Sequence, residues 1–154
     1  MSAVTKIKKE DLIKGSIKII REKSIEELSA RNLAKTVGCS TQPIFRIFEN
    51  MDDLKQTIYN DVYELQNKYI RKGIEHQIPF IGAGLSYIDF ATKEKNLFKF
   101  LFMSTNSKYN NILEMADNED GKKYTEMIIK STGLSPESSK QIYINTWLII
   151  HGIA

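Results

Sequence analysis

Apolar residues recur three or four positions apart along most of the chain, which is the spacing of one face of an α-helix. The longest such stripe predicts a helix over residues 50–72 and consists of Leu54, Ile58, Val62, Leu65 and Tyr69. The same periodicity predicts helices over residues 8–23, 30–37, 41–48, 80–93, 96–103, 122–132 and from 136 onward, with connectors at 24–27 and 106–111. No segment alternates with a period of two for long enough to predict a strand. The expected fold class is therefore all-α.

Residues that commonly begin or end helices mark several of these boundaries. Ser29, Ser40 and Asn50 each precede an apolar stretch and are expected to cap the second, third and fourth helices. Ser135 is expected to cap the last helix, because a proline and an acidic residue follow it. Gly38 follows the second helix, at a place where a positive φ is often needed.

The region between residues 29 and 54 has the spacing typical of a helix-turn-helix. In that motif a small residue lets two helices approach, a glycine makes the turn and a branched apolar residue anchors the second helix. Ala34, Gly38 and Ile44 supply these residue types in order. The second helix of such a motif usually lies in the major groove of DNA. We therefore expect a three-helix DNA-binding domain over 1–54 and a helical bundle over 55–154.

The charge of the chain is unevenly placed. The net charge is +3, but residues 1–50 carry ten Lys and Arg against six Asp and Glu, whereas residues 51–154 carry twelve against thirteen. An excess of positive charge in the first third suits contact with phosphates, although the same residues could simply solvate a small helical domain. The hydrophobic content of 42% is ordinary for a folded protein, so composition alone leaves both interpretations open.

Cellular location is inferred from three features. Cys39 is the single cysteine, which excludes an intrachain disulfide, and its place in the apolar pattern predicts a packed core residue rather than a nucleophile. The N-terminus becomes polar before any apolar run develops, which argues against a secretory signal. The most apolar stretch, residues 97–103, is short and contains Lys99, so no membrane span is expected. The protein is expected to be cytoplasmic.

Roughly the first 55 residues resemble the DNA-binding domain of TetR-family transcriptional regulators. The resemblance rests on the first helix, the helix-turn-helix and an F-x-N-x-x-x-L junction formed by Phe48, Asn50 and Leu54. A looser resemblance to one subgroup of TetR regulatory domains rests on Tyr87-Ile-Asp-Phe-Ala, Asn96-Leu-Phe and Trp147-x-x-x-His151-Gly152. The resemblance implies a homodimer whose C-terminal helices bind a small effector and pair two subunits.

Several positions depart from the family pattern. Family members usually carry tyrosine where this chain has Phe45, often histidine where it has Ile47, and often lysine where it has Met51. Those family residues commonly touch DNA phosphates, so the resemblance implies fewer polar backbone contacts here. Ser24 replaces a usual glycine, which we interpret as a minor loop change.

The predicted DNA-contacting residues lie around the turn and the third helix. They are Ser29, Arg31, Ser40, Thr41, Gln42, Phe45 and Arg46. Gln42 could bond the edge of an adenine, and Arg46 a guanine or a phosphate. The serines could reach phosphates at capped helix N-termini or act as caps alone. Because both residues are apolar, Phe45 and Phe48 are expected to pack in the core rather than to stack on bases.

Aromatic and methionine residues of the second half are candidates for an effector pocket, because a bundle rich in them can enclose an apolar ligand. The same stripes are common in plain helical cores, and both interpretations stay open. The candidates are Tyr87, Phe90, Phe98, Phe102, Met103, Met115, Met127, Trp147 and His151.

No catalytic, metal or cofactor site is expected. His76 and His151 lie far apart, and neither has a second His or Cys three or four residues away. The acidic residues 117–121 lack the spacing of a calcium loop, and residues 82–84 lack the third glycine of a dinucleotide fingerprint. An enzyme is therefore the weakest interpretation.

The leading hypothesis is a sequence-specific DNA-binding regulator, a repressor that a small-molecule effector releases from a double-stranded DNA operator. Its long fourth helix, shared between the two halves, is expected to act as the lever. The alternative is a helical ligand-binding or protein-interaction module that binds DNA weakly or not at all. The last helix is still strongly apolar at Ala154, which predicts a packing partner and a longer natural polypeptide.

Overall fold

The computed structural model describes residues 7–103 and 111–154. Within these ranges it contains nine α-helices and no strand, which confirms the all-α fold class. The helices are α1 (Lys9–Glu22), α2 (Ala30–Val37), α3 (Gln42–Ile47), α4 (Met51–Gly73), α5 (Pro79–Lys93), α6 (Lys95–Met103), α7 (Ile112–Asp117), α8 (Glu119–Thr132) and α9 (Pro136–Ile153).

The observed helices agree closely with the periodicity of the sequence, with two additions. A short 3₁₀ turn, Ile25–Glu27, occupies the connector between α1 and α2. Helix α7 was not predicted; Asn111 caps it by accepting a hydrogen bond from the Glu114 backbone at 2.9 Å. The expected loop over 106–111 lies outside the described residues except for this cap.

Three of the four predicted caps are confirmed. Ser29 accepts from the backbone N–H of Asn32 at 3.2 Å, Asn50 from Asp52 and Asp53 at 2.9 Å, and Ser135 from Ser138 at 3.2 Å. The prediction for Ser40 is wrong. Helix α3 begins at Gln42, so its N-cap position is Thr41 and not Ser40; Thr41 has φ −74° and ψ −17°, and its side chain makes no capping hydrogen bond.

Gly38 ends α2 as predicted. Its φ of 76° is in the left-handed region, where residues with a Cβ are strained. This conformation lets the N–H groups of both Gly38 and Cys39 donate to the carbonyl of Ala34 at 2.9 Å. The chain is thereby turned sharply between α2 and α3.

The chain divides into two compact units, and the first consists of residues 7–64 and 94–103 of the described structure. Its core contains Leu33, Ala34, Ile44 and Phe48, which are all buried. Ala34 and Ile44 are two of the three residues predicted to frame a helix-turn-helix, a prediction that burial alone does not test. The predicted domain boundary at residue 54 falls within α4, whose residues up to 64 belong to this unit.

Helix α6 belongs to the first unit because it docks on the end of α1. Arg21 Nε donates to Glu94 at 2.7 Å, and the Asn96 amide donates to the carbonyls of Arg21 and Lys23 at 3.0 and 2.8 Å. Beneath these polar contacts the buried ring of Phe100 packs edge-on against Tyr59. Burial of aromatic rings of this size is a large stabilising contribution.

The second unit consists of residues 65–93 and 111–154 of the described structure. A Cβ atom on Gly82 would overlap the carbonyl of Gly73, and one on Gly73 would overlap the carbonyl of Gly82. Two glycines therefore allow the end of α4 and the start of α5 to meet backbone to backbone. A second cluster, from α7, α8 and α9, consists of Ala116, Ile128, Tyr143 and Ile144.

Candidate functional sites

Helix α3 presents one continuous exposed face. Thr41, Gln42, Phe45 and Arg46 are all exposed, whereas Ile44 on the opposite side is completely buried. Positions four apart lie above one another on a helix, so Thr41 with Phe45 and Gln42 with Arg46 form two adjacent rows. The predicted residues of α3 are thus brought together on a single surface, which we call the α3 face.

The remaining predicted DNA-contacting residues flank the turn. Ser29 and Arg31 are exposed at the start of α2, and Ser40 is exposed just before α3. The hydroxyl of Ser29 already accepts the capping hydrogen bond from Asn32, so it acts as a cap. The aligned peptide dipoles of α2, a helix of eight residues, give this end a partial positive charge.

The apolar residues of this region divide between core and surface. Phe48 is 2% exposed, as expected for a core residue, but Phe45 is 51% exposed, so the expectation that it packs in the core is wrong. Phe48 lies four residues after the buried Ile44, about one helical turn, and shares its buried side. Phe45 comes directly after Ile44 and lies on a different side of the helix. Cys39 is half-buried in the turn and not fully packed.

The second unit contains a small apolar cavity of about 50 Å³ between α5 and α9, with residues of α4 and α8 at its margin. Half of the residues that line it are aromatic, and none carries a formal charge. They are Ile70, Phe80, Ala83, Gly84, Tyr87, Tyr124, Tyr143, Thr146, Trp147 and Ile150. A cavity of this size exceeds the space of a water molecule but is smaller than a cavity known to hold benzene, so a larger ligand must displace lining side chains.

Tyr87, Trp147 and His151 form a connected group beside this cavity. The Tyr87 hydroxyl lies 2.7 Å from His151 Nδ1, and the imidazole stacks on the Trp147 indole with ring centroids 4.4 Å apart. The stack follows from the sequence, because residues 147 and 151 lie one turn apart on α9. The indole ring that lines the cavity is therefore held from behind by His151.

Burial disfavours the charged forms of the titratable groups in this region. It raises the pKa of Tyr87 above its usual range, with a further contribution from Tyr143, and raises the pKa of Tyr124 to about 12, with a contribution from Asp120. Burial also lowers the pKa of His151. At neutral pH the imidazole is neutral, and Nδ1 can accept a hydrogen bond from the Tyr87 hydroxyl.

The predicted effector-pocket residues are only partly brought together. Tyr87 and Trp147 line the cavity, and His151 contacts both. Phe90 is buried against Tyr69 and outside the lining. Met115 packs with the cluster of α7, α8 and α9, and Met127 on α8 is half-buried without lining the cavity. Phe98, Phe102 and Met103 are on α6, in the first unit; Phe98 is buried and Met103 is 67% exposed.

The sequence interpretation missed part of the lining. Phe80, Tyr124 and Tyr143 contribute rings that were not singled out. An available signal was the spacing of Tyr143, Trp147 and His151, which places three rings on one stripe of α9. No comparable signal links Tyr124 on α8 to that stripe, because their proximity depends on how the helices pack.

Two other kinds of site were examined within the described ranges. No three His, Cys, Asp or Glu side chains there come close enough together to hold a metal ion. None of the helices formed by residues 7–103 and 111–154 combines the length and apolar character needed to cross a membrane.

Comparison with known proteins does not assign the chain to a family. No protein-family model matches it, and no curated protein matches it significantly.

Protonation of His151 should destabilise the protein at mildly acidic pH. Since burial lowers the pKa of His151 in the folded state, the unfolded chain binds the proton more readily. The contribution of neutral His151 to the free energy of unfolding is fully present above the ordinary histidine pKa of about 6.5. It is lost as the pH falls through the lowered pKa of His151 in the folded state. Comparing the unfolding free energies of the wild type and His151→Gln in urea from about pH 7.5 to 5 tests this.

The advantage of the wild type over His151→Gln should shrink as the pH falls. His76 and all carboxylates are present in both proteins, so the two proteins differ only at position 151. A difference that stays constant across the range would show that His151 does not titrate as inferred.

Proposed function

We propose that this protein is a dimeric, TetR-like transcriptional regulator that binds double-stranded DNA through the α3 face and is a repressor released by a small effector. The observation that carries the proposal is the α3 face itself: four exposed side chains on a helix anchored from behind by Ile44 and preceded by the left-handed turn at Gly38. A helix presented in this way is suited to the width of the major groove.

The side chains of the α3 face fit distinct parts of a base pair. The Gln42 amide matches the donor and acceptor of an adenine edge, and the Arg46 guanidinium matches a guanine or a phosphate. Phe45, exposed in the adjacent row, fits apolar contact with a thymine methyl group. Arg31 and the α2 N-terminus would hold phosphates and fix the orientation of the protein on the duplex.

The cavity of the second unit is the proposed effector site. Its aromatic, uncharged lining suits a neutral apolar compound. Binding such a compound would favour a conformation in which the two α3 helices of a dimer no longer match successive major grooves.

The proposed dimer contact is an apolar surface on α9. Leu148, Ile149 and Ile153 are 51%, 63% and 68% exposed, and they lie on one side of the helix. We call these three residues the α9 face. Neighbouring exposed apolar side chains of this kind typically mark an interface, because their burial removes apolar surface from water.

Arg46→Ala should weaken DNA binding by about tenfold or more, the usual contribution of a well-placed base contact. Duplexes selected by the full-length protein from a random library supply the target, and affinity is then measured at one fixed salt concentration. Lys122→Ala on α8 removes the same charge from the second unit and serves as the matched control.

Equal affinities for Arg46→Ala and the wild type would remove Arg46 from the interface. If no duplex is enriched, and if affinity for random duplex does not fall with rising salt, DNA binding is excluded and the ligand-binding or protein-interaction module remains.

Replacing Ile149 and Ile153 by Lys should dissociate the dimer, because two charges cannot be buried in an apolar contact without partners. Sedimentation equilibrium should show the mass falling from about twice the 17.7 kDa of the chain to that of one chain. Leu113→Lys is the control, since Leu113 is 59% exposed on α7 and outside the α9 face. A monomeric wild type would contradict the proposed dimer.

Gly84→Leu should block the cavity. A Cβ at Gly84 has Ile150 Cδ1 as its nearest neighbour, at 4.0 Å, so a side chain can start there without a clash at Cβ. Trp147 is the only tryptophan in the chain, so its fluorescence reports occupancy directly. Benzyl alcohol should shift the emission saturably in the wild type and about tenfold more weakly in Gly84→Leu.

Two controls accompany the cavity experiment. Leu85→Ala changes an exposed neighbour on α5 and should leave the response intact. Benzoate has a similar ring with a charge and should bind more weakly, because the uncharged lining offers it no partner. Equal responses from Gly84→Leu and the wild type would show that the ligand binds elsewhere.

A further inference from the structure

A second concave site lies in the same unit, between α4 and α5, and its chemistry is opposite to that of the cavity. This groove has a volume of about 650 Å³, within the usual range for sites that bind small molecules. Four of its lining side chains are cationic and one is acidic: Lys68, Arg71, Lys72, Lys93 and Asp89.

The groove exists because α4 and α5 run antiparallel. Gly73 meets Gly82 at one end, and further along the pair the Tyr69 ring packs edge-on against Phe90, with centroids 5.3 Å apart. Lys93, at the end of α5, is thereby brought to the groove that Lys68 and Lys72 line from α4. Its cations come from two helices that are consecutive in the sequence.

The cations exceed what the two helices need for their own stability. Arg71 and Lys72 are in the last turn of α4, where positive charge offsets the helix dipole. Lys68 lies one turn earlier. Because it is four residues from Lys72 and carries the same charge, the two side chains repel each other and destabilise the helix slightly. Asp89 pairs with Lys93 at 2.9 Å, and with four cationic side chains against one carboxylate the lining as a whole carries a net positive charge.

An apolar surface adjoins these charges. Leu65 and Tyr69 also line the groove, and the Tyr69 ring is held by its contact with Phe90. A guanidinium binds phosphate through two parallel hydrogen bonds, lysines add point charges, and an immobilised ring offers a face for a planar group. These features occur within one site of suitable volume.

We propose that the α4–α5 groove binds a small organic phosphate with two negative charges and an attached apolar or planar group. Arg71 and the lysines hold the phosphate, and Leu65 with Tyr69 contacts the apolar group. This site is separate from the apolar cavity and does not depend on DNA binding.

The test uses the full-length protein and phenyl phosphate, a dianion at slightly alkaline pH that carries an aromatic ring. Calorimetry should detect saturable binding at millimolar concentrations or below, tighter than that of inorganic phosphate, and weakening as salt is raised. In ¹H–¹⁵N spectra the shifted amides should be those of residues 65–72 and 86–93.

Two variants of opposite sign locate the site. Lys68→Gln with Lys72→Gln should weaken phenyl phosphate binding by about tenfold or more, whereas Asp89→Asn should strengthen it severalfold by removing the acidic residue. A misfolded protein would not bind more tightly, so the gain distinguishes the electrostatic effect from structural damage. Lys122→Gln with Lys130→Gln on α8 is the charge-matched control.

Several results would overturn the proposal. One is that the double variant Lys68→Gln with Lys72→Gln and the α8 control bind phenyl phosphate equally well. Another is that Arg46→Ala loses binding while the groove variant keeps it. A third is that phenyl phosphate binds no more tightly than inorganic phosphate. Tighter binding of a dicarboxylate such as phthalate would replace phosphate as the ligand class.

Discussion

The second unit depends on the backbone contact between Gly73 and Gly82. Each glycine occupies space that a Cβ atom on the other would need, so the two helices can approach this closely only with hydrogen in both places. The contact fixes where α5 begins relative to the end of α4. Both concave sites of this unit use α5 as a wall, the apolar cavity through Gly84 and Tyr87 and the cationic groove through Asp89 and Lys93.

Features that depend on a few neighbouring residues could be predicted from the sequence. Ser29, Asn50 and Ser135 cap helices because a side-chain oxygen reaches an N–H two or three residues ahead, and Gly38 turns the chain because it lacks a Cβ. Ser40 shows the limit of this reasoning. It has the right residue type, but α3 begins at Gln42, which makes Thr41 the N-cap position.

The candidate sites were harder to predict because tertiary packing creates them. Periodicity showed that Phe98 and Tyr87 lie on apolar faces, but not that α6 joins α1 while α5 joins α9. The α3 face was predictable because its residues are contiguous. The groove was not, because Lys68 and Lys93 become neighbours only through the antiparallel pairing of α4 and α5.

The placement of two sites on one helix affects how this protein could diversify. The residues that α5 gives to the cavity and to the groove occupy different positions, so substitutions could change one ligand preference without touching the other. Gly73 and Gly82 lack that freedom, since any side chain there would separate the helices that form the groove. Among descendants of this chain, those two glycines should therefore vary less than the residues that line the cavity and the groove.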